Sequence, residues 1–297
     1  MYNKKSKKWA FILIAPFVLL FSLFWLTPLL YGVVISFFNW NISNGNNGFV
    51  GFNNYINILT PGTIYNDMFV RGLINTLVYV VISVPPLILI SLALALVIDK
   101  LPGILKPIFR TIFFLSYSVS VTAVSAIFLW LFNSNAGYVN SFLNEPVNWL
   151  GEQPYAWITI LIATVWWTIG FNMLLFVNAL DEVDGSLYEA ADLDGAGAFN
   201  KLRYITLPEI RNVTVFIFIT TVIASFNLYG QTLLITNGGP EQTTTSLIMT
   251  IQQAVFNLNQ LGVGSAMAIL MGLIMMIVTG SQYWFAYRKK EYKEVAK

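Results

Sequence analysis

Six stretches of the chain run apolar almost without interruption, at roughly 9–38, 73–98, 111–132, 155–180, 213–235 and 263–285. A helix needs about 20 mainly apolar residues to cross the hydrocarbon core of a bilayer. None of the six contains Asp, Glu, Lys or Arg. The pattern therefore predicts an all-α, polytopic membrane protein with six transmembrane helices. The first run has lysines before it, as a signal peptide would. It is too long for a signal-peptide core, however, and no small-residue cleavage site follows, so it reads as a retained helix. No internal repeat, low-complexity tract or second domain is evident, and residues 1–297 read as one transmembrane unit.

Between the runs lie polar external loops at 39–72, 133–154 and 236–262. In the last, Leu247, Ile248, Ile251, Val255 and Leu258 recur at helical spacing behind Ser246, a candidate cap, and predict a short helix. Pro16, Pro28, Pro85 and Pro86 fall inside spans. Each removes a backbone hydrogen bond, which suggests either broken helices packed against protein or a simple bend. Trp9, Trp25, Tyr155, Trp157, Tyr283 and Trp284 stand where an interfacial belt would put them, or serve as plain lipid-facing bulk.

The placement of the 16 Lys and Arg residues sets the orientation. Lys4, Lys5, Lys7 and Lys8 precede the first span; Lys100, Lys106 and Arg110 lie between the second and third. Lys201, Arg203 and Arg211 lie between the fourth and fifth, and Arg288, Lys289, Lys290, Lys293 and Lys297 follow the sixth. Arg71 alone falls on the other side. The positive-inside rule makes the loaded side cytoplasmic, so both termini are inside, as an even number of spans also requires.

Composition narrows the function. With 57% hydrophobic and 10% charged residues, and a mean hydropathy of +0.68, there is too little charge to cover a water-facing surface, for which about 25% is usual. Lipid must take the place of water. The chain has no Cys and no His, which removes thiolate chemistry, the commonest metal ligand and the usual general base. A membrane enzyme is disfavoured on the same ground. The spans also lack the ionisable residues that couple secondary transport to ions or protons. No GxxxxGK[ST] phosphate loop is present, so any ATP and Mg act on another polypeptide, and this chain itself carries no cofactor. Nothing suggests a nucleic-acid partner.

The connection between spans four and five, residues 181–210, is long and acidic, carrying Asp181, Glu182, Asp184, Glu189, Asp192, Asp194 and Glu209. Ser186 followed by Glu189 predicts a capping box, with acidic side chains near the positive end of the helix dipole. Small residues at Ala190 and Ala191 follow, then Gly195 and Gly197 end the helix. A second stretch, Phe199 to Thr206, leads to Leu207 and Pro208. Such an element suits either docking in a groove of a soluble partner or lying on the membrane surface.

The segment EAADLDGAGAFNKLRYITLP resembles the signature of permease subunits in binding-protein-dependent ABC importers. The matching positions here are Glu189, Ala190, Ala191, Gly195, Ile205, Leu207 and Pro208, at the family's spacing. GFVGFNNYINIL and FNLYGQTLLITNGGPEQTTTSL further resemble the maltose and oligosaccharide branch, and the likeness covers about residues 10 to 288. A proline common in the family near the start of span three is replaced by Ser116, which puts local helix geometry in question there. The resemblance implies a coupling helix at 181–210 docking on the ATPase, with Glu189 meeting it. It implies two ATPase subunits, a second homologous permease and an extracytoplasmic sugar-binding protein, in a bacterial-type cell membrane.

Polar groups near mid-span are candidates for the sugar path: Ser225, Asn227, Tyr229 and Gln231 in span five, Asn172 and Asn178 in span four, with Trp166 and Trp167 nearby. Sugars are held by aromatic faces and by a few amide or hydroxyl contacts, but Asn, Gln and Ser also serve as glue between helices. A di- or oligosaccharide is the expected cargo. Glycerol phosphate is the alternative, against which the absence of Lys and Arg in the spans speaks. A secondary transporter or channel is the competing class.

Overall fold

The computed structural model describes residues 4–294. They are mostly helical and fall into two compact units, Met1–Val70 with Thr250–Leu273, and Arg71–Met249 with Ile274–Lys297. Among the described residues four helices are long and apolar enough to cross a membrane, or up to six if each of two sharply bent pairs is one span.

In the first unit, α1 (Lys4–Phe21) passes through a π-helical turn at Ser22–Leu26 into α2 (Thr27–Ile35). The turn has a local cause. Pro28 has no N–H to give to the preceding turn, and just before it the Thr27 N–H and its hydroxyl, at 2.8 Å, both donate to the Ser22 carbonyl. In Phe11–Ile35 none of the most apolar stretch is buried.

The segment after it departs from an all-helical reading. β1 (Phe38–Asn41) and β2 (Gly45–Phe49) form an antiparallel hairpin with Phe38 opposite Phe49 and Asn41 opposite Gly45. Gly45 takes φ +75°, a conformation glycine adopts without a Cβ penalty. Asn54, near the start of α3 (Asn53–Leu59), anchors the reversal by donating to the Ser36 and Phe38 carbonyls at 2.8 and 3.0 Å. A polar, glycine-rich run short of hydrophobic alternation carries little strand signal, so the hairpin was not visible in the pattern.

α4 (Ile64–Asp99) is a single helix that runs through Pro85 and Pro86 and begins well inside the expected loop 39–72. In the second unit it packs against α7 (Tyr155–Asp181), which is the central helix of that unit: half of its most apolar window is buried. One core joins Ala95 and Ile98 of α4, Met173, Phe176 and Val177 of α7, and Ile217 of α11 (Arg211–Phe226). Another joins Val84, Val222 and Phe226 with Ile274, Met275 and Val278 of α13 (Leu261–Glu294).

The third run is broken. α5 (Leu105–Leu115) and α6 (Val121–Leu131) meet at 92°. Ser116 donates to the Phe113 carbonyl at 2.9 Å and to that of Trp167 at 3.3 Å. The Trp167 indole N–H donates to the Val119 carbonyl at 2.8 Å, and the Ser120 hydroxyl accepts from the Ala123 N–H at the start of α6. Ser116 and Ser120 in SYSVS supply local hydrogen bonds to backbone, an alternative to the helical pattern, and the Val119 carbonyl freed at the break finds a partner in Trp167 of the neighbouring helix. On α7 the same approach demands glycine: a Cβ at Gly170 would stand 2.0 Å from the Phe113 carbonyl oxygen.

The fifth run is broken too. α11 ends at Phe226, residues 227–229 are non-helical, and helix resumes at Gly230, leading into a π-helical turn at Thr232–Thr236. Beyond it α12 (Leu247–Gln252) is the expected short helix, with the Ser246 hydroxyl accepting from the Met249 N–H at 3.3 Å.

Candidate functional site

The loop after α7 is built as two helices. α8 (Gly185–Leu193) begins earlier than the capping-box reading placed it. Asp184, not Ser186, is the cap, its carboxylate accepting from the Ser186 N–H at 2.9 Å. A charged acceptor at the positive helix end outcompetes a hydroxyl, and those hydrogen bonds hold the Asp184 carboxyl below its ordinary value.

The C-terminus of α8 closes as a Schellman motif. The Gly195 N–H donates to the Asp192 carbonyl at 3.1 Å and that of Ala196 to the Ala191 carbonyl at 2.9 Å. Gly195 has φ +71°, the left-handed geometry this closure uses.

The chain then runs helically from Ala198 to Glu209 and turns by 70° into α11. This stretch comprises α9 (Ala198–Lys201), a π-helical turn and α10 (Leu207–Glu209). Tyr188 and Thr206 join the two arms through their hydroxyls, and Lys201 pairs with Asp192.

Glu189 and Ala190 are exposed, Ala191 and Ile205 half-buried, and Leu207 and Pro208 exposed. Leu193 is 91% exposed and Phe199 and Tyr204 69%. The loop thus bonds its own backbone while displaying large apolar side chains. Above it, Lys106 bridges Asp99 and Asp181 at 2.7 and 2.6 Å while Arg110 also pairs with Asp181. The ends of α4, α5 and α7 are thereby tied together.

A cavity of about 490 Å³ lies in the same unit, within the ~300–1,000 Å³ range of small-molecule sites. Both broken runs line it, through Tyr117 and Val121 of the third and Asn227 to Gln231 of the fifth. They come close enough that a Cβ on Gly230 would sit 2.8 Å from a Val121 methyl. Of the sequence candidates, Asn172, Ser225, Asn227, Tyr229 and Gln231 line the cavity, as does Trp167. Asn178 is exposed and Trp166 44% exposed, and neither belongs to its wall.

The wall also holds Tyr79, Tyr117, Thr164, Thr168, Phe171 and Thr221, which the sequence reading did not name. Tyr79, an interior polar residue of span two, was the legible signal among them. Among the described residues the wall carries no Lys, Arg, Asp or Glu. No group of three His, Cys, Asp or Glu gathers there as a metal site.

The cavity's polar groups divide by partner. Tyr79, 1% exposed, donates to the Thr164 hydroxyl at 2.8 Å. Ser83 donates to Ser225 at 3.1 Å, and the Asn172 amide to Thr221 at 3.1 Å. These bonds stitch α4, α7 and α11 together. Asn227 donates from its amide to the Ile223 carbonyl at 2.8 Å and closes the end of α11. Tyr117 stacks on Phe171, ring centroids 5.1 Å apart, as a flat aromatic surface on the wall.

A chain of long apolar helices with a cavity lined by residues from two interrupted apolar runs has the form of a membrane transport protein, in which discontinuous helices commonly line the path. The family model described as "Binding-protein-dependent transport system inner membrane component" matches residues 58–291, and the chain belongs to that family. It is a transport subunit, not an enzyme. It is 32% identical to the sulfoquinovosyl glycerol transport system permease protein SmoG of Agrobacterium fabrum, over 91% of this chain and 87% of that protein. It is 30% identical to the trehalose/maltose transport system permease protein MalF of Thermococcus litoralis, over 78% and 77%. In fold it is similar to a chain of a bacterial ABC transporter involved in the import of the acidic polysaccharide alginate, with TM-score 0.82, 18% identity and 96% of each chain covered.

Proposed function

We propose that this chain is one of two permease subunits of an ATP-driven sugar importer, with six spans, both termini cytoplasmic, and loop 181–210 docked on a separate ATPase. A di- or oligosaccharide, handed over by an extracytoplasmic binding protein, passes through the cavity. In this reading ATP binding closes a pair of ATPase subunits, the loop transmits that motion as a rigid body, and the permease pair opens outward; hydrolysis resets it. ATP and Mg stay on the ATPase.

The observation that carries the cargo assignment is the cavity wall. It offers aromatic faces, amides and hydroxyls and, among the described residues, no charge, which matches a neutral polyol and leaves an anion such as glycerol phosphate without a counter-charge. Four long apolar helices, with the bent pair α5–α6 and the apolar helix α11, support six spans, and the names of the relatives support sugars.

The test is uptake by proteoliposomes holding the assembled transporter and its binding protein. Accumulation of a labelled neutral disaccharide or oligosaccharide should need ATP on the ATPase side. Uptake by this chain alone without ATP would instead indicate a secondary transporter, and preferential uptake of glycerol phosphate would overturn the sugar assignment.

A further inference from the structure

Most polar side chains of the cavity wall are already engaged. Asn172, Ser225 and Thr164 each pair with another helix, and Asn227 is held by its own helix end. Gln231 differs. Only 8% of it is exposed, it lines the cavity, and among the described residues its side-chain amide has no hydrogen-bond partner. Native proteins seldom leave a buried amide unpaired. Neither amide atom is sealed off from the cavity without a partner, as happens to the Ser125 hydroxyl elsewhere. The amide is therefore open to whatever fills the cavity. Its position is also fixed: it sits just before the π-helical turn Thr232–Thr236, one residue after Gly230 has brought this backbone against Val121.

We infer that Gln231 is the specificity-determining residue of this site, its amide pairing with two neighbouring ring hydroxyls of the sugar. This rests on the sugar reading above. A glutamine amide presents an acceptor and a two-proton donor about as far apart as adjacent hydroxyls on a pyranose, and each hydroxyl can answer either role. The stacked Tyr117 and Phe171 rings on the same wall supply a face for the sugar's C–H side. Asn172 and Ser225, by contrast, each already hold a partner on another helix.

The experiment titrates the purified, assembled transporter without its binding protein against maltose, trehalose, lactose and cellobiose, and against maltose deoxygenated at single ring positions. Trp167, on the cavity wall, reports by fluorescence. The wild-type complex should bind at least one of the four sugars saturably and should lose about tenfold in affinity for one or two particular deoxy derivatives, the loss expected for a buried group left unpaired. Gln231→Leu, of similar size, should weaken the intact sugar about tenfold and erase the discrimination against those derivatives. Gln231→Glu, which keeps the shape and the acceptors but not the donors, should fall between the two. Co-purification with the ATPase confirms folding of each variant. Binding by wild type together with undiminished discrimination in Gln231→Leu overturns the inference and leaves the sugar reading standing. No saturable response to any of the sugars by the wild type overturns both.

Discussion

The Tyr188 hydroxyl lies 2.8 Å from that of Thr206. This bond closes the loop after α7 on itself, because Tyr188 sits on α8 and Thr206, 5% exposed, on the arm leading into α11. Together with the Lys201–Asp192 pair, it ties the two arms to each other across the glycine turn. Replacing Tyr188 by Phe should cost about 1 kcal/mol of loop rigidity while leaving the packing intact. We expect Tyr188→Phe to assemble normally but to hydrolyse more ATP per sugar transported, measured as the uptake-to-ATPase ratio in proteoliposomes. An unchanged ratio would separate this bond from coupling.

Gly195 tests the backbone alone. A Cβ there would meet nothing within 4 Å, so the penalty of Gly195→Ala is the left-handed φ of +71°, roughly 1–2 kcal/mol. Uptake and stimulated ATPase activity should fall sharply while membrane insertion is unaffected. Gly195→Asn, which tolerates that geometry better, should retain more of both. Glu189, exposed on α8, should behave like Gly195 when replaced by Ala.

The cap at Asp184 predicts how the loop responds to pH. Hydrogen bonds from Ser186 lower its pKa below the ordinary value of 3.8, so the stabilisation is fully present above that value and is lost only as pH falls through the lower, folded one. Amide-exchange protection of residues 185–193 should thus be flat between about pH 5 and 8, within the range where a capping carboxylate stays ionised. Asp184→Ala should lose the protection, and Asp184→Ser, another favoured cap, should restore most of it.

Gly170→Ala examines the core around the third span. The new methyl would meet the Phe113 backbone oxygen at 2.0 Å, and backbone on both sides cannot rotate away as a side chain would. Overpacking of this kind costs about 1–3 kcal/mol or more. A lowered thermal midpoint of the purified complex is expected, with less protein assembled with its partners.

Among the described residues, each of the four helices long and apolar enough to cross a membrane overlaps one of the apolar runs, since lipid exposure leaves its mark directly in composition. The runs could not show where two of them are interrupted. Residues 111–132 and 213–235 contain no charge to flag an interruption, and the breaks arise from SYSVS bonding to its own backbone and to Trp167, and from Asn227 closing α11. The substrate-path candidates were legible as rare polar groups in apolar runs, and five of the six line the cavity. Which of them bond to each other depends on how α4, α7 and α11 pack, and no single run encodes that. Asn178 shared the composition signal of Asn172, yet six positions along α7 it is exposed and away from the wall. At the loop, the capping-box pattern was present, but a neighbouring carboxylate two residues upstream took the role.

The claim that this permease is driven through loop 181–210 can be tested at Leu193, 91% exposed at the end of α8. The chain has no cysteine, so Leu193→Cys gives a single reactive site. A membrane-impermeant maleimide should label it only from the cytoplasmic side, and assembly with the ATPase should protect it. Labelling from outside the cell, or equal labelling with and without the ATPase bound, would contradict the account.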